Sequence, residues 1–273
     1  MTQAPSPSPV EPVPPTAPTA PTRRDRLRAA TTEEITATAR RLLVEQGIEA
    51  MSLRAIAREM GMTAPGLYRY YGSREELLRN VIASIFRELS GDVRRAIDEV
   101  ALSTAGAAVA RGEAAPEQVR RHFTLKMVAA CRGFRRWGLS HKAEFTLLFG
   151  VPLPGLDDGR FDIAEECALE FAGTFYTLYF ELWNATHFPV PGPGEIDQGL
   201  RAQLRRFGAS LATDAPDGAL LVFLRCWTVL YGAVAMEIFG HLGFALGDPA
   251  PMFEFTLADL ARLVGLEYPL PEA

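Results

Sequence analysis

The stretch SLRAIAREMGMTAPGLYRYY, residues 52–71, leaves the backbone few alternatives. Ser52 is placed to cap a short helix with Leu53, Ile56, Ala57 and Met60 on one face, and Thr63 to cap a second helix running to Tyr70. Between them Gly61 can take the positive φ that a tight turn requires. Two helices crossing steeply need a small side chain at the crossing, and Ala57 stands four positions before that glycine. Ile56, Met60, Met62 and Leu67 then close the wedge. The pattern predicts a helix-turn-helix. It also raises a question, because LYRYY places three tyrosines and an arginine on a helix whose outer side should be polar. Leu67 and Tyr71 are expected to face the core, and Tyr68, Arg69 and Tyr70 the outside.

The flanking segments read as helices too. Ile35, Ala39, Leu42 and Leu43 form an apolar stripe at i, i+4, i+7 and i+8, with Thr31 or Thr32 as N-cap and Gly47 as the stop. Ser73 and Glu76 have capping-box spacing at the head of a long amphipathic helix, SREELLRNVIASIFRELSGDVRRAI. Further helices are expected at 116–137, 142–149, 161–186, 195–211, 217–241 and 252–263. The breaks between them include TAGAAVARGEAA, GVPLPGLDDG and FPVPGPG. No segment alternates as a strand and no repeat is visible, so the fold class is all-α. Three divisions follow. Residues 1–28 form a disordered Pro-rich tail ending in a basic arm of Arg23, Arg24, Arg26 and Arg28. Residues 29–89 form a three-helix DNA-binding domain, and 90–273 a larger helical bundle. The arm reads either as a solvated charge run or as a segment reaching phosphates or the minor groove.

Charge is distributed unevenly along the chain. Of 273 residues 48% are hydrophobic, which excludes wholesale disorder, and the net charge of -5 excludes a generic polyanion binder. Yet residues 23–80 carry eleven Arg against eight acidic residues, whereas 81–273 carry seventeen basic residues against twenty-four acidic ones. A basic small module on an acidic larger one fits nucleic-acid contact at one end only. The three cysteines, Cys131, Cys167 and Cys226, lie far apart without a CxxC, as expected in a reducing cytoplasm. The apolar run at 219–247 is broken by Arg225, Glu237 and His241, so a buried helix is expected there rather than a membrane span.

Residues 29–89 resemble the tetracycline-repressor (TetR) family of one-component regulators. Members carry a third helix of the form Thr-x-x-x-Leu-Tyr-x-His-Phe, then a Lys opening the fourth. Here the matching residues are Thr63, Leu67, Tyr68, Tyr70, Tyr71 and Arg74, with Tyr70 in place of His and Arg74 in place of Lys. The resemblance implies a double-stranded DNA operator as partner. Thr63, Tyr68, Tyr70 and Arg74 then hold phosphates, and Ala64, Pro65, Gly66, Arg69 and Arg54 approach the bases, arginine to guanine being the commonest specific contact. The alternative for each arginine is a solvated helix face.

For the remainder the resemblance implies a homodimer and a small-molecule effector. The helices around 217–241 and 252–263 are apolar enough to form a four-helix interface. Its two-fold would hold the reading helices roughly 34–36 Å apart, matching a palindromic operator. Trp227 followed by Tyr231-Gly232 is similar to a regulator domain named for a Trp-His-Gly signature, with Tyr in place of His. Candidate pocket residues are His122, Phe171, Phe175, Tyr176, Tyr179, Trp183 and Trp227, although aromatics at helical spacing equally read as plain core. His141 and Glu144 lie three apart on a helix, a two-residue set that is a weak metal signal; no metal or cofactor is expected. Catalytic motifs such as a P-loop, HExxH or G-x-S-x-G are absent, so no enzyme is expected. The alternatives to a repressor are an effector-independent architectural DNA-binding protein and an activator of the same family.

Overall fold

The computed structural model describes residues 22–150 and 163–268. Within them the chain is helical throughout, with no strand. The elements are α1 (Arg23–Gln46), α2 (Leu53–Glu59), α3 (Ala64–Leu67), α4 (Arg74–Ala101), α5 (Thr104–Ala110), α6 (Pro116–Ser140), α7 (Lys142–Phe149), α8 (Ile163–Thr186), α9 (Gln198–Ser210), α10 (Asp217–Ile238) and α11 (Ala250–Leu263).

The predicted stripe of α1 is the buried one: Ile35, Ala39, Leu42 and Leu43. Its cap lies nine or ten residues before the expected Thr31 or Thr32. Thr22 is the N-cap, accepting from Asp25 N–H at 3.2 Å, while the Asp25 carboxylate accepts from Thr22 N–H at 3.0 Å. Thr31 and Thr32 are therefore interior, and each satisfies its hydroxyl by donating to the carbonyl four residues back, Leu27 and Arg28. The four arm arginines are helical. The tail before Thr22 lies outside the described residues.

α4 ties the molecule together. Its first turn is capped by Ser73, which accepts from Glu76 N–H at 3.1 Å, while the Glu76 carboxylate accepts from Gly72 N–H rather than from the cap residue. Leu77, Leu78, Val81, Ile82, Ile85, Phe86, Leu89 and Val93 form an unbroken buried stripe along it. It packs on α1, α6 and α8. Within the larger bundle Phe134 sits in an aromatic core, with Phe145, Phe149, Phe171, Phe175 and Trp227 all 5.6–6.2 Å from it, centroid to centroid.

Several expected boundaries shift. α5 falls in the Ala/Gly-rich segment expected to be a break. It lacks an apolar stripe and forms because Ser103 accepts from Gly106 N–H at 3.2 Å. α10 ends at Ile238 and α11 begins at Ala250; residues 161–162 of the helix expected at 161–186 lie outside the described residues. Among the described residues α10 is the one helix long and apolar enough to cross a membrane by length and composition. It packs against α6, α8, α9 and α11, burying Val222, Phe223, Leu230 and Val234.

Candidate nucleic-acid interface and ligand cavity

Local chemistry fixes the angle between α2 and α3. Ser52 accepts from Ala55 N–H at 3.2 Å to start α2. The helix ends with Met62 N–H bonded to Ala57 carbonyl at 2.8 Å and Gly61 N–H bonded to Arg58 carbonyl at 3.2 Å. That paired closure needs a left-handed residue just past the helix, and Gly61 has φ +64°. Thr63 restarts the chain by accepting from Gly66 N–H at 3.2 Å, which leaves its hydroxyl proton free to donate outward. At Gly66 a β-carbon would lie 3.1 Å from that Thr63 oxygen, so the cap and the glycine are mutually fitted.

Regular α-helix stops at Leu67, but turn hydrogen bonds carry the coil on to Tyr71. Its two faces separate as expected. Leu67 is fully buried, and Tyr71 is 2% exposed with its hydroxyl 2.9 Å from that of Thr36; burial raises the Tyr71 pKa. Tyr68 is 51% exposed, and Arg69, Arg54, Thr63 and Pro65 are exposed beside it, with Ala64 and Gly66 half-buried. No ion pair among the described residues engages Arg54 or Arg69.

Two residues differ from the expected outward set. Tyr70 is half-buried against the core, and Arg28 of α1 lies over its ring at 5.9 Å. Arg74 turns inward: its Nε donates to the Met51 carbonyl at 2.8 Å and an Nη to the Ile48 carbonyl at 2.9 Å. The Ile48 carbonyl, which already accepts from Met51 N–H at 3.2 Å, has a second lone pair to offer, and the guanidinium fork reaches it and the Met51 carbonyl at once. Arg74 thereby staples that turn to the head of α4 rather than presenting its fork to a phosphate.

A second feature is a cavity of about 50 Å³ enclosed by α6, α8, α10 and α11 and the chain just after α11. Of the expected pocket residues it brings together Phe175, Tyr179 and Trp227. The other four stand elsewhere. Phe171 packs behind the wall at 5.5 Å from Phe175, and Tyr176 meets Phe180 in a tilted pair with centroids 4.4 Å apart. Trp183 meets Phe188, and His122 is buried beside Phe123, its pKa lowered by burial and then by Lys126. The missed half of the wall comes from Met127 and Cys131 of α6 and Leu257 and Ala261 of α11. The signal for it was the i, i+4, i+8 spacing of Phe253, Leu257 and Ala261, which marks a buried face of α11. Burial pushes the thiols of Cys131 and Cys226, both in the wall, up to about 12. Tyr179 donates its hydroxyl to the Ala219 carbonyl at 2.8 Å.

Between the two features stands α7. Phe145 and Phe149 belong to the aromatic core, and the Phe149 carbonyl accepts from the Tyr231 hydroxyl at 2.8 Å. Glu144, on the other side of α7, accepts from Arg40 of α1. Arg40 also grips Glu88 of α4, whose pKa is lowered first by that bond. His141 does not pair with Glu144; it stacks on Trp137 with centroids 4.9 Å apart and reaches Glu88 at 3.5 Å.

Two family models match the chain: "Bacterial regulatory proteins, tetR family" over residues 35–81, and "Tetracyclin repressor-like, C-terminal domain" over 127–260. The C-terminal model does not carry the Trp-His-Gly designation. Two proteins named HTH-type transcriptional regulators, Rv1816 of Mycobacterium tuberculosis and Mb1846 of Mycobacterium bovis, are each 26% identical over 222 residues, 81% of this chain and 86% of theirs. The solved structure of SCO4313 aligns with a TM-score of 0.62 at 28% identity, over 88% of this chain and 98% of that one. A protein from Rhodococcus sp. RHA1 shares the fold, with a TM-score of 0.54 at 19% identity over 86% and 94% of the two chains.

Proposed function

This chain belongs to the TetR family of transcriptional regulators, and we propose that it is a repressor which binds a palindromic operator as a dimer and leaves it when an uncharged apolar effector binds. The observation that carries the DNA part is the surface shared by Arg54, Thr63, Tyr68 and Arg69. These side chains are exposed and stand on helices whose angle the Gly61 closure fixes. Arg54 and Arg69 have the reach for base edges. Ala64, Pro65 and Gly66 permit close approach, and Thr63 and Tyr68 have hydroxyl protons for phosphates. Tyr70 flanks this surface, and Arg74 supports it from within.

Dimerisation is supported by an apolar face with no partner in the single chain. Val229 and Met236 of α10, Met252 and Phe255 of α11, and the 89%-exposed Phe244 between them all face outward. Scattered exposed apolar residues need no explanation, but these lie on two adjacent packed helices and the segment that joins them.

The cavity supports the effector part, because its wall carries no charged side chain. At about 50 Å³ it has room for only a few waters. A larger effector must therefore displace wall residues, and Phe175 and Trp227 lean on Phe134, which leans on Phe145 and Phe149 of α7. Displacement there shifts the population between two arrangements of α1 and α4, by no more than the effector's preference for one of them. The same small volume favours a second reading, DNA binding that no effector controls.

The test is selection of a duplex by the full chain from a random library, followed by a screen of uncharged apolar compounds for release. Selection of a palindrome and its release by a compound support the repressor reading. Selection of a palindrome that no compound releases leaves the effector-independent reading. Failure to select any sequence defeats both.

A further inference from the structure

The first turns of α1 extend beyond the apolar stripe that anchors this helix, and they bring arginines alongside the coil that follows α3. Arg23, Arg24 and Arg28 line one wall of an open cleft of about 720 Å³, and Arg69 and Tyr70 line the other. No carboxylate lines it. Arg23, Arg24 and Arg69 are exposed and have no ion pair among the described residues. Arg28 holds the walls in register by stacking over Tyr70 at 5.9 Å and donating to the Arg69 carbonyl at 3.4 Å. The helix end is not the attraction, because Thr22 and Asp25 already close on each other there. What remains is a fixed concentration of four guanidinium groups, which repel one another until an anion neutralises them.

We propose that this cleft binds backbone phosphates of duplex DNA flanking the half-site, extending the footprint past the helix-turn-helix. The proposal rests on the DNA-binding reading above. Duplex DNA fits better than a lipid surface because Arg69 belongs both to the cleft and to the reading surface, so a duplex seated on one passes the other. It also answers what the arginine-rich arm does: its helical form sets a spacing between charges that a coil could not hold. Such contacts carry no sequence information.

The experiment uses the full chain and its selected duplex with about 10 bp, one helical turn, added on each side. Arg23→Gln/Arg24→Gln should make the dependence of log affinity on log salt shallower by about 0.9 per phosphate lost, nearly two per protomer. Discrimination between selected and random duplexes should stay the same. Removing the flanks should make the slope shallower in the parent by at least that much, a readout that needs no variant, and should cost the variant less than the parent. A parent that binds while flank removal and the substitutions leave the slope unchanged overturns the cleft proposal and leaves the helix-turn-helix reading standing. If the substitutions instead abolish binding to anionic phospholipid vesicles with the DNA slope unchanged, the partner is a membrane and the proposal is wrong. A parent that selects no duplex removes the DNA reading and the cleft together.

Discussion

Arg40 of α1 and Glu144 of α7 meet at 3.0 Å, across the join between the helix-turn-helix module and the larger bundle. Glu144 is only 5% exposed, and Arg40 simultaneously holds Glu88 of α4. One guanidinium thus binds three helices, and two of them also border the aromatic core that backs the cavity.

Removing the two partners should not be equivalent. Glu144→Ala leaves Arg40 paired with Glu88 and should cost about 1–2 kcal/mol of stability. Arg40→Ala strands the buried Glu144 carboxylate and should cost more, about 3 kcal/mol. Urea denaturation of both variants checks the order. Equal losses would mean that Glu144 reaches water when Arg40 is absent.

Acid should weaken the fold in two separate windows. His122 has a pKa lowered mainly by burial, so folding is penalised progressively as pH falls below its ordinary value of 6.5. Glu88 has a pKa lowered mainly by Arg40, so its contribution is complete above the ordinary 4.5 and is lost as pH falls through the folded value. His122→Phe should flatten the upper window alone, and Arg40→Gln the lower one alone. Melting temperature against pH for the three proteins is the check.

Charging the outward apolar face should separate the subunits. Met236→Glu with Phe255→Glu places two carboxylates on a surface that self-association would bury, and both side chains are already exposed in the single chain. Light scattering should show a monomer with an unchanged circular dichroism spectrum. Dimers that persist would move the interface elsewhere on the molecule.

The cavity thiols should be inert in the folded protein. With Cys131 and Cys226 pushed up to about 12 by burial, neither supplies appreciable thiolate at neutral pH. A thiol-reactive dye should label them at the rate of unfolding, and rapid labelling of the native protein would contradict this.

Much of the reading head was legible because its demands are local. A cap, a glycine and a stripe specify Ser52, Gly61 and the buried pair Leu67 and Tyr71 from spacing alone. The start of α1 was not, since residues 23–30 offer little apolar periodicity and only Thr22 with Asp25 three residues on marks the cap. The task of Arg74 depends on which carbonyls the turn at 48–51 brings within its reach, which no linear pattern records. The aromatic stripe of α8 divided for a similar reason. Phe175 and Tyr179 reach the cavity, while Phe171 also meets Trp227 but packs among Phe86, Phe134 and Phe149, and Trp183 meets Phe188.

On the proposed DNA surface Arg54 and Arg69 read bases while Tyr68 grips the backbone. The most direct test is binding of Arg54→Ala, Arg69→Ala and Tyr68→Phe to the selected duplex and to a random one. The arginine variants should each lose about 1–3 kcal/mol on the selected duplex and much less on the random one, narrowing the discrimination. Tyr68→Phe should weaken both duplexes alike. Arginine variants that bind both duplexes as the parent does would contradict the assignment of this surface.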